Sequence, residues 1–150
     1  MTQKLIITFC IALYALGVPL LEINDTHVFN PDWTPHARIH EVWQLLTNTA
    51  IGLFCLWWCW VRQEVILSAV FSMIVTGSFL LAFSMQDLYG GSMKYLDGSE
   101  KTLFDINIGV VGFGLALILL VSAIIIEMIR SLDFDMDTIS LPPTALHNLI

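Results

Sequence analysis

Charge is what this sequence has least of. Lysine, arginine, aspartate and glutamate make up 13% of its 150 residues, about half the share of an ordinary water-soluble domain. With 57% hydrophobic residues and a mean hydropathy of +0.78, that shortfall excludes a soluble globular protein. Six basic residues stand against thirteen acidic ones, for a formal charge of −7, so no basic stripe exists to hold a nucleic acid. A polybasic lipid-binding tail is missing too, because the C-terminal run carries Asp133, Asp135 and Asp137. Cysteine is equally scarce. Cys10, Cys55 and Cys59 all lie in apolar runs, which argues against a disulfide framework and makes them small packing residues. The short alternating strands of a membrane β-barrel are absent as well.

What is present is length without charge. Leu5–Leu21, Val42–Val61, Val65–Met85 and Ile108–Ile126 each approach or reach the roughly 20 apolar residues that cross a hydrocarbon core of about 30 Å. The first run follows Lys4 and has the basic start and apolar centre of a secretory signal; we read it as the first helix, bent near Gly17 and Pro19. The expectation is a single all-α membrane domain over 1–150, a four-helix transmembrane bundle with two outer capping loops. Its spans cover approximately 4–22, 36–61, 65–86 and 105–129, followed by an acidic tail, 131–150. Ser68, Ser72 and Thr76, and Gly109, Gly112 and Gly114, mark faces where helices approach closely. No ionisable residue lies in the middle of a run, which argues against a proton-driven carrier.

Four spans put both termini on one side. Lys4, Arg62 and Arg130 there balance Arg38, Lys94 and Lys101 opposite, so the positive-inside rule does not decide by number. Lys4, the amino terminus and the tight Arg62–Glu64 turn favour termini in the cytoplasm. The two long outer segments, 22–41 and 86–105, then hold three of the four histidines; the fourth, His147, sits in a tail with Pro142 and Pro143.

In the first outer segment Asn30, Pro31 and Asp32 signal a turn, and Thr34 with Pro35 forms an N-cap and first helical position. The second helix therefore starts at about Pro35. In the second segment Gly90-Gly91 and Asp97-Gly98 are turns, and Thr102 with Asp105 fits a capping box for the fourth helix. That segment is long enough to fold over the helix ends, with Tyr89, Tyr95 and Leu96 dipping into the interface.

His36 and His40 stand four residues apart on one helix side, the spacing at which two imidazoles bind one transition metal if further ligands come from elsewhere. Asp32 and His27 are candidate further ligands, with Asp25 or Asp87 as others; zinc, copper or iron would suit the set. The pattern lacks the His-Glu-x-x-His of zinc proteases. Glu41, about 100° further round than His40, could orient a histidine, pair with Arg38 or act as a separate acid or base. Deeper polar residues suggest a pocket: Asn48 and Thr47 as floor, with Asn107 nearby, and Gln86 and Asp87 joining the histidines at the rim. An amide in hydrocarbon needs a partner, so Asn48 should face the bundle and bond across helices. Trp43 and the group Trp57, Trp58 and Trp60 bracket the second span as interfacial anchors.

The segment from Phe29 to His40, Asn-Pro-Asp-Trp-Thr-Pro-His-Ala-Arg-Ile-His from Asn30 onward, followed by Trp43, resembles one found in small uncharacterised bacterial four-helix membrane proteins. That resemblance implies the bacterial inner membrane and an outward loop that matters, and carries no activity. In size and helix number the chain also looks like the DoxX group and the sterol-isomerase and sigma-2-receptor superfamily. The acidic residues those enzymes use within later helices are missing here.

Two functions follow from these residues. One is an accessory or assembly protein in contact with membrane lipid, binding a metal or a protein partner, or a second copy of itself, through an outward His/Asp surface. The other is a membrane isomerase or hydrolase acting on a lipid-like substrate through His36, His40 and Glu41. A closed apolar cavity ending at those side chains favours the enzyme; exposed histidines over a filled interior favour the binding protein.

Overall fold

The computed structural model describes residues 1–95 and 97–140, with the backbone alone from residue 134. Leu96, and the tail residues Pro142, Pro143 and His147, lie outside the described residues. Helix α1 (Thr2–Ala12) passes through a π-helical turn (Leu13–Gly17) into α2 (Val18–Glu22). Then come α3 (Pro35–Trp60), α4 (Val65–Ser84), the single turn α5 (Gln86–Tyr89), the two-residue strands β1 (Thr102–Leu103) and β2 (Ile106–Asn107), and α6 (Ile108–Ser140). The fold is all-α. Four helical stretches are long and apolar enough to cross a membrane: Thr2–Glu22, Pro35–Trp60, Val65–Ser84 and Ile108–Asp133. The chain is an integral membrane protein.

The π-helical turn in the first span has a chemical cause. Proline has no N–H to give the carbonyl four residues back, so Pro19 cannot donate to Ala15. The turn before it widens to π geometry, and the Ala15 carbonyl accepts instead from Thr49 Oγ1 on α3 at 2.9 Å. An interhelical bond of this kind in a membrane is worth roughly 0.6 to 1.7 kcal/mol. It joins α3 to the first span near Gly52, the glycine where helices meet most closely. A Cβ on Gly52 would stand 2.4 Å from Ala15 Cβ, well inside van der Waals contact. Among the sequence's candidate close-approach glycines, only Gly109 is crowded, against the Phe79 ring; Gly112 and Gly114 face open space.

The serine and threonine ladder on α4 does pack inward. Ser68, Ser72 and Thr76 are all buried. Ser68 Oγ donates to the Cys55 carbonyl at 2.9 Å, Thr76 Oγ1 to the Ser72 carbonyl at 3.0 Å, and the Tyr14 and Ser72 hydroxyls lie 3.3 Å apart. Around them Ile7, Cys10, Ile11, Cys55, Cys59, Ala69, Ala116 and Leu120 fill the interior. Small residues bring the backbones together, so dispersion across many contacts holds the helices where lipid offers no hydrophobic drive.

One end of the molecule gathers the amino terminus and the α3–α4 turn. Gln3 hydrogen-bonds Glu127, Lys4 bonds Gln63, and Lys4 also lies over the Trp60 ring. Gln63 takes a left-handed backbone with φ of 61° to close this turn. Helix α6 runs 33 residues, about 50 Å, so it outreaches the hydrocarbon and continues through the acidic segment to Ser140.

The start of α6 differs from the sequence expectation. Thr102 and Asp105 form no capping box. They belong to a hairpin in which Thr102 pairs with Asn107, while Phe104 and Asp105 both take positive φ, 53° and 62°. Two successive left-handed residues are what a tight antiparallel hairpin requires. The cap comes from Asn107, whose Oδ1 accepts from the N–H of Gly109 at 2.8 Å and of Val110 at 3.3 Å.

Candidate functional site

The opposite, loop end of the molecule holds the polar residues. Asn30 is buried and organises the loop before α3: its Oδ1 accepts from the Asp32 N–H at 2.9 Å and its amide donates to the Thr26 carbonyl at 3.0 Å. Thr34 Oγ1 then accepts from the Ala37 N–H at 3.2 Å, and Pro35 takes the first helical position. This cap sets where α3 begins, and so sets the level at which His36 and His40 stand.

Those two imidazoles meet. His36 Nε2 and His40 Nε2 are 3.0 Å apart, their rings edge-on with centroids 4.6 Å apart, and Trp43 stacks under His40 at 5.8 Å. Both histidines are exposed. At 3.0 Å the two nitrogens are within hydrogen-bond distance, the donor set by the tautomer. Below them runs a groove of about 350 Å³ lined by His40, Trp43, Gln44, Thr47 and Asn48. Asn48 thus lies beside this open groove; it does not bond across the helices. Thr49, one residue on and about 100° round, makes that bond instead.

Glu41 points elsewhere. Its charge acts on His27, and the charge of Glu22 acts on it, placing it on the side of α3 turned towards the first span and its loop. His27 Nδ1 lies 2.7 Å from Glu22 Oε2 and 2.8 Å from Thr26 Oγ1, with the ring edge-on to Trp33 at 5.6 Å. Glu22 Oε2 is buried, and its contact with His27 is off the line of a hydrogen bond. Burial lowers the His27 pKa below the usual imidazole range; Glu41 pulls it up and Lys101 pushes it further down. Lys101 and Glu22 also belong to this group, and no local motif in the sequence marks either of them. Only the folding of the second loop over the first brings Lys101 to Glu22, whereas the matching ends of two adjacent spans could have suggested that Glu22 and Glu41 share a level.

The remaining sequence candidates separate into other places. Gln86 and Asp87 line a different groove of about 250 Å³ with Met93, Lys94 and Glu100, so the single pocket expected from the sequence is two shallow ones. Asn107 is buried as the α6 cap and donates to Glu100 Oε1 at 2.9 Å. Asp32 is exposed in its turn. Tyr89 folds back so that its hydroxyl donates to the Ala82 carbonyl at 2.8 Å.

The sequence had grouped Asp32, His27, His36 and His40 as one ligand set. Among the described residues no three His, Cys, Asp or Glu side chains stand close enough to share a metal ion. His36 and His40 come together; His27 belongs with Glu22. No protein-family model matches the chain, and no curated protein or solved structure is found similar to it. The resemblances of the Phe29–His40 segment therefore add nothing beyond a helical, multi-span membrane protein.

Proposed function

We propose that this is a small membrane-embedded binding protein, an accessory or assembly factor, that takes a transition metal such as zinc, copper or iron on the His36–His40 edge at its loop end. The observation that carries this reading is the 3.0 Å separation of the two Nε2 atoms. Nitrogens bound to one tetrahedral zinc at about 2.0–2.1 Å stand roughly 3.3 Å apart. A shift of a few tenths of an ångström by two exposed side chains makes the pair a bidentate clamp, and the hydrogen bond between them is what the metal replaces. We place the loop end outside a bacterial inner membrane, as the residues around Lys4 and Arg62 suggest.

The enzyme reading has less support. His36 and His40 open onto a shallow groove while Glu41 faces His27, so no single position lies within reach of all three as acid, base and ligand. The test is metal content per chain after purification without chelators or an affinity histidine tag. Bound metal in the native protein that is lost in H36A/H40A is the expected result. Absence of metal from both, after reloading with zinc, copper and iron, would overturn the proposal.

A further inference from the structure

We infer that the end of the molecule opposite the histidines carries a site for an anionic phospholipid, whose phosphodiester faces Lys4 and Arg62 and whose acyl chain runs along Trp57 and Phe54. The site is independent of any metal on His36 and His40. Depth, exposure and unpaired charge lead to it.

Helix α4 has 20 residues, which at about 1.5 Å each match a hydrocarbon core of about 30 Å. The turn just before it, residues 62–64, therefore stands at headgroup level. Lys4 is brought to that level from α1 by its bond to Gln63. Both cations lie over indole rings of α3: Lys4 Nζ is 5.5 Å from the centre of a Trp60 ring and Arg62 Cζ 5.9 Å from that of a Trp57 ring. Three residues apart, Trp57 and Trp60 are neighbours on the helix surface. They are 45% and 37% exposed, so the rings, and the charges over them, belong to the lipid-facing perimeter. Among the described residues neither Lys4 nor Arg62 enters an ion pair; Glu127 at this end is taken by Arg130 and Gln3, and Glu64 pairs with neither cation. Asp133 lies about 9 Å further along α6 than Glu127. The counter-ion available to a cation at this depth is the lipid phosphate. A choline headgroup brings its own cation to that phosphate, whereas a glycerol headgroup leaves the negative charge uncompensated, which selects the anionic lipid. Next to Trp57, Phe54 stacks at 5.7 Å with its ring tilted by only 15° and is itself half-exposed. The two rings form a flat apolar strip on which an acyl chain can lie.

The experiment titrates the delipidated full chain in a neutral detergent with phosphatidylglycerol or phosphatidylcholine and counts bound lipid by native mass spectrometry. A cation near an anionic surface is worth about fivefold in affinity, so phosphatidylglycerol should bind roughly 25-fold more tightly. In K4Q/R62Q that preference should fall to about twofold or less, whereas R38Q/K94Q, which removes the same charge at the loop end, should keep it. Should the double variant misfold, as circular dichroism would show, R62Q alone removes only the cation over Trp57 and should cost about fivefold. Equal binding of the two lipids overturns the site. So does a preference unchanged in K4Q/R62Q and R62Q, or one that falls as far in R38Q/K94Q, which would reduce it to net charge. Displacement of the bound lipid by an equal concentration of glycerol 3-phosphate would assign the two cations to a soluble phosphate and overturn the lipid assignment.

Discussion

One face of α3 presents Glu41, Leu45, Thr49, Gly52, Cys55 and Cys59 to its neighbours; the other presents His36, His40, Trp43, Gln44 and Thr47 to its surroundings. Both stripes carry polar side chains at helical spacing, the open one from His36 and the inward one from Glu41. On the inward face Thr49 is claimed by the Ala15 carbonyl, while Glu41 lies in the opposing fields of His27, which attracts it, and Glu22, which repels it. On the open face the histidines have only each other. Availability, more than residue type, separates a structural polar group from one that can bind.

The contrast fails first, if it fails, at Gly52. Gly52→Val would drive a Cβ into Ala15 and force the first span away, and overpacking of this kind costs about 3 kcal/mol. Ala50→Val on the open face should stay within about 0.5 kcal/mol of the native protein. Thermal unfolding in detergent measures both, and similar values would mean that the two faces are not distinct.

Next in size is Thr49→Val, which keeps the shape but leaves the Ala15 carbonyl without its donor. We expect a loss of about 1 kcal/mol, recovered in Thr49→Ser. The substitution of both open-face histidines, H36A/H40A, should shift stability by less than about 0.5 kcal/mol while abolishing bound metal. Chemical denaturation alongside elemental analysis separates the two readouts.

The smallest effect concerns His27. Glu41→Gln removes the charge that draws the His27 pKa upward, so its imidazole should titrate still lower, as ring proton shifts in an NMR pH series would report. The sign for stability follows. Because His27 titrates below its unfolded value of about 6.5, the unfolded chain binds the proton first. The contribution of His27 is therefore complete above that pH and is lost as acidification proceeds towards its folded value.

Much of the architecture was legible in order of residues. Uncharged runs near 20 residues can satisfy their backbone in lipid only as helices, so four spans followed from length and polarity. Thr34-Pro35 announced the start of α3 because cap chemistry is local. Ser68, Ser72 and Thr76 marked a packing face because a four-residue period repeats on one side of a helix. Pro19 announced a disturbance of the first span but not the Thr49 hydroxyl that bonds the freed carbonyl, since that donor lies thirty residues away.

The candidate site was legible only in part. His36 and His40 are neighbours by helical spacing alone, and their meeting needed no other helix. Asn48 and Glu41 were different, because each can serve either side of α3 and the pattern there is ambiguous. The Thr102–Asp105 pattern misled because a two-residue hairpin satisfied the same backbone groups before a helix could begin, leaving Asn107 to cap α6.

By itself the sequence determined the solvent, the number of spans, the point where α3 begins and the proximity of two imidazoles, because each depends on composition or on contacts within a few residues. Tertiary structure alone decided the rotation of α3 about its axis. That rotation follows from Gly52 fitting against Ala15 and Thr49 reaching the carbonyl that Pro19 leaves free, both contacts between distant segments. With α3 pinned in this way, Glu41 turns in towards His27 while His36 and His40 remain outside, open to a ligand.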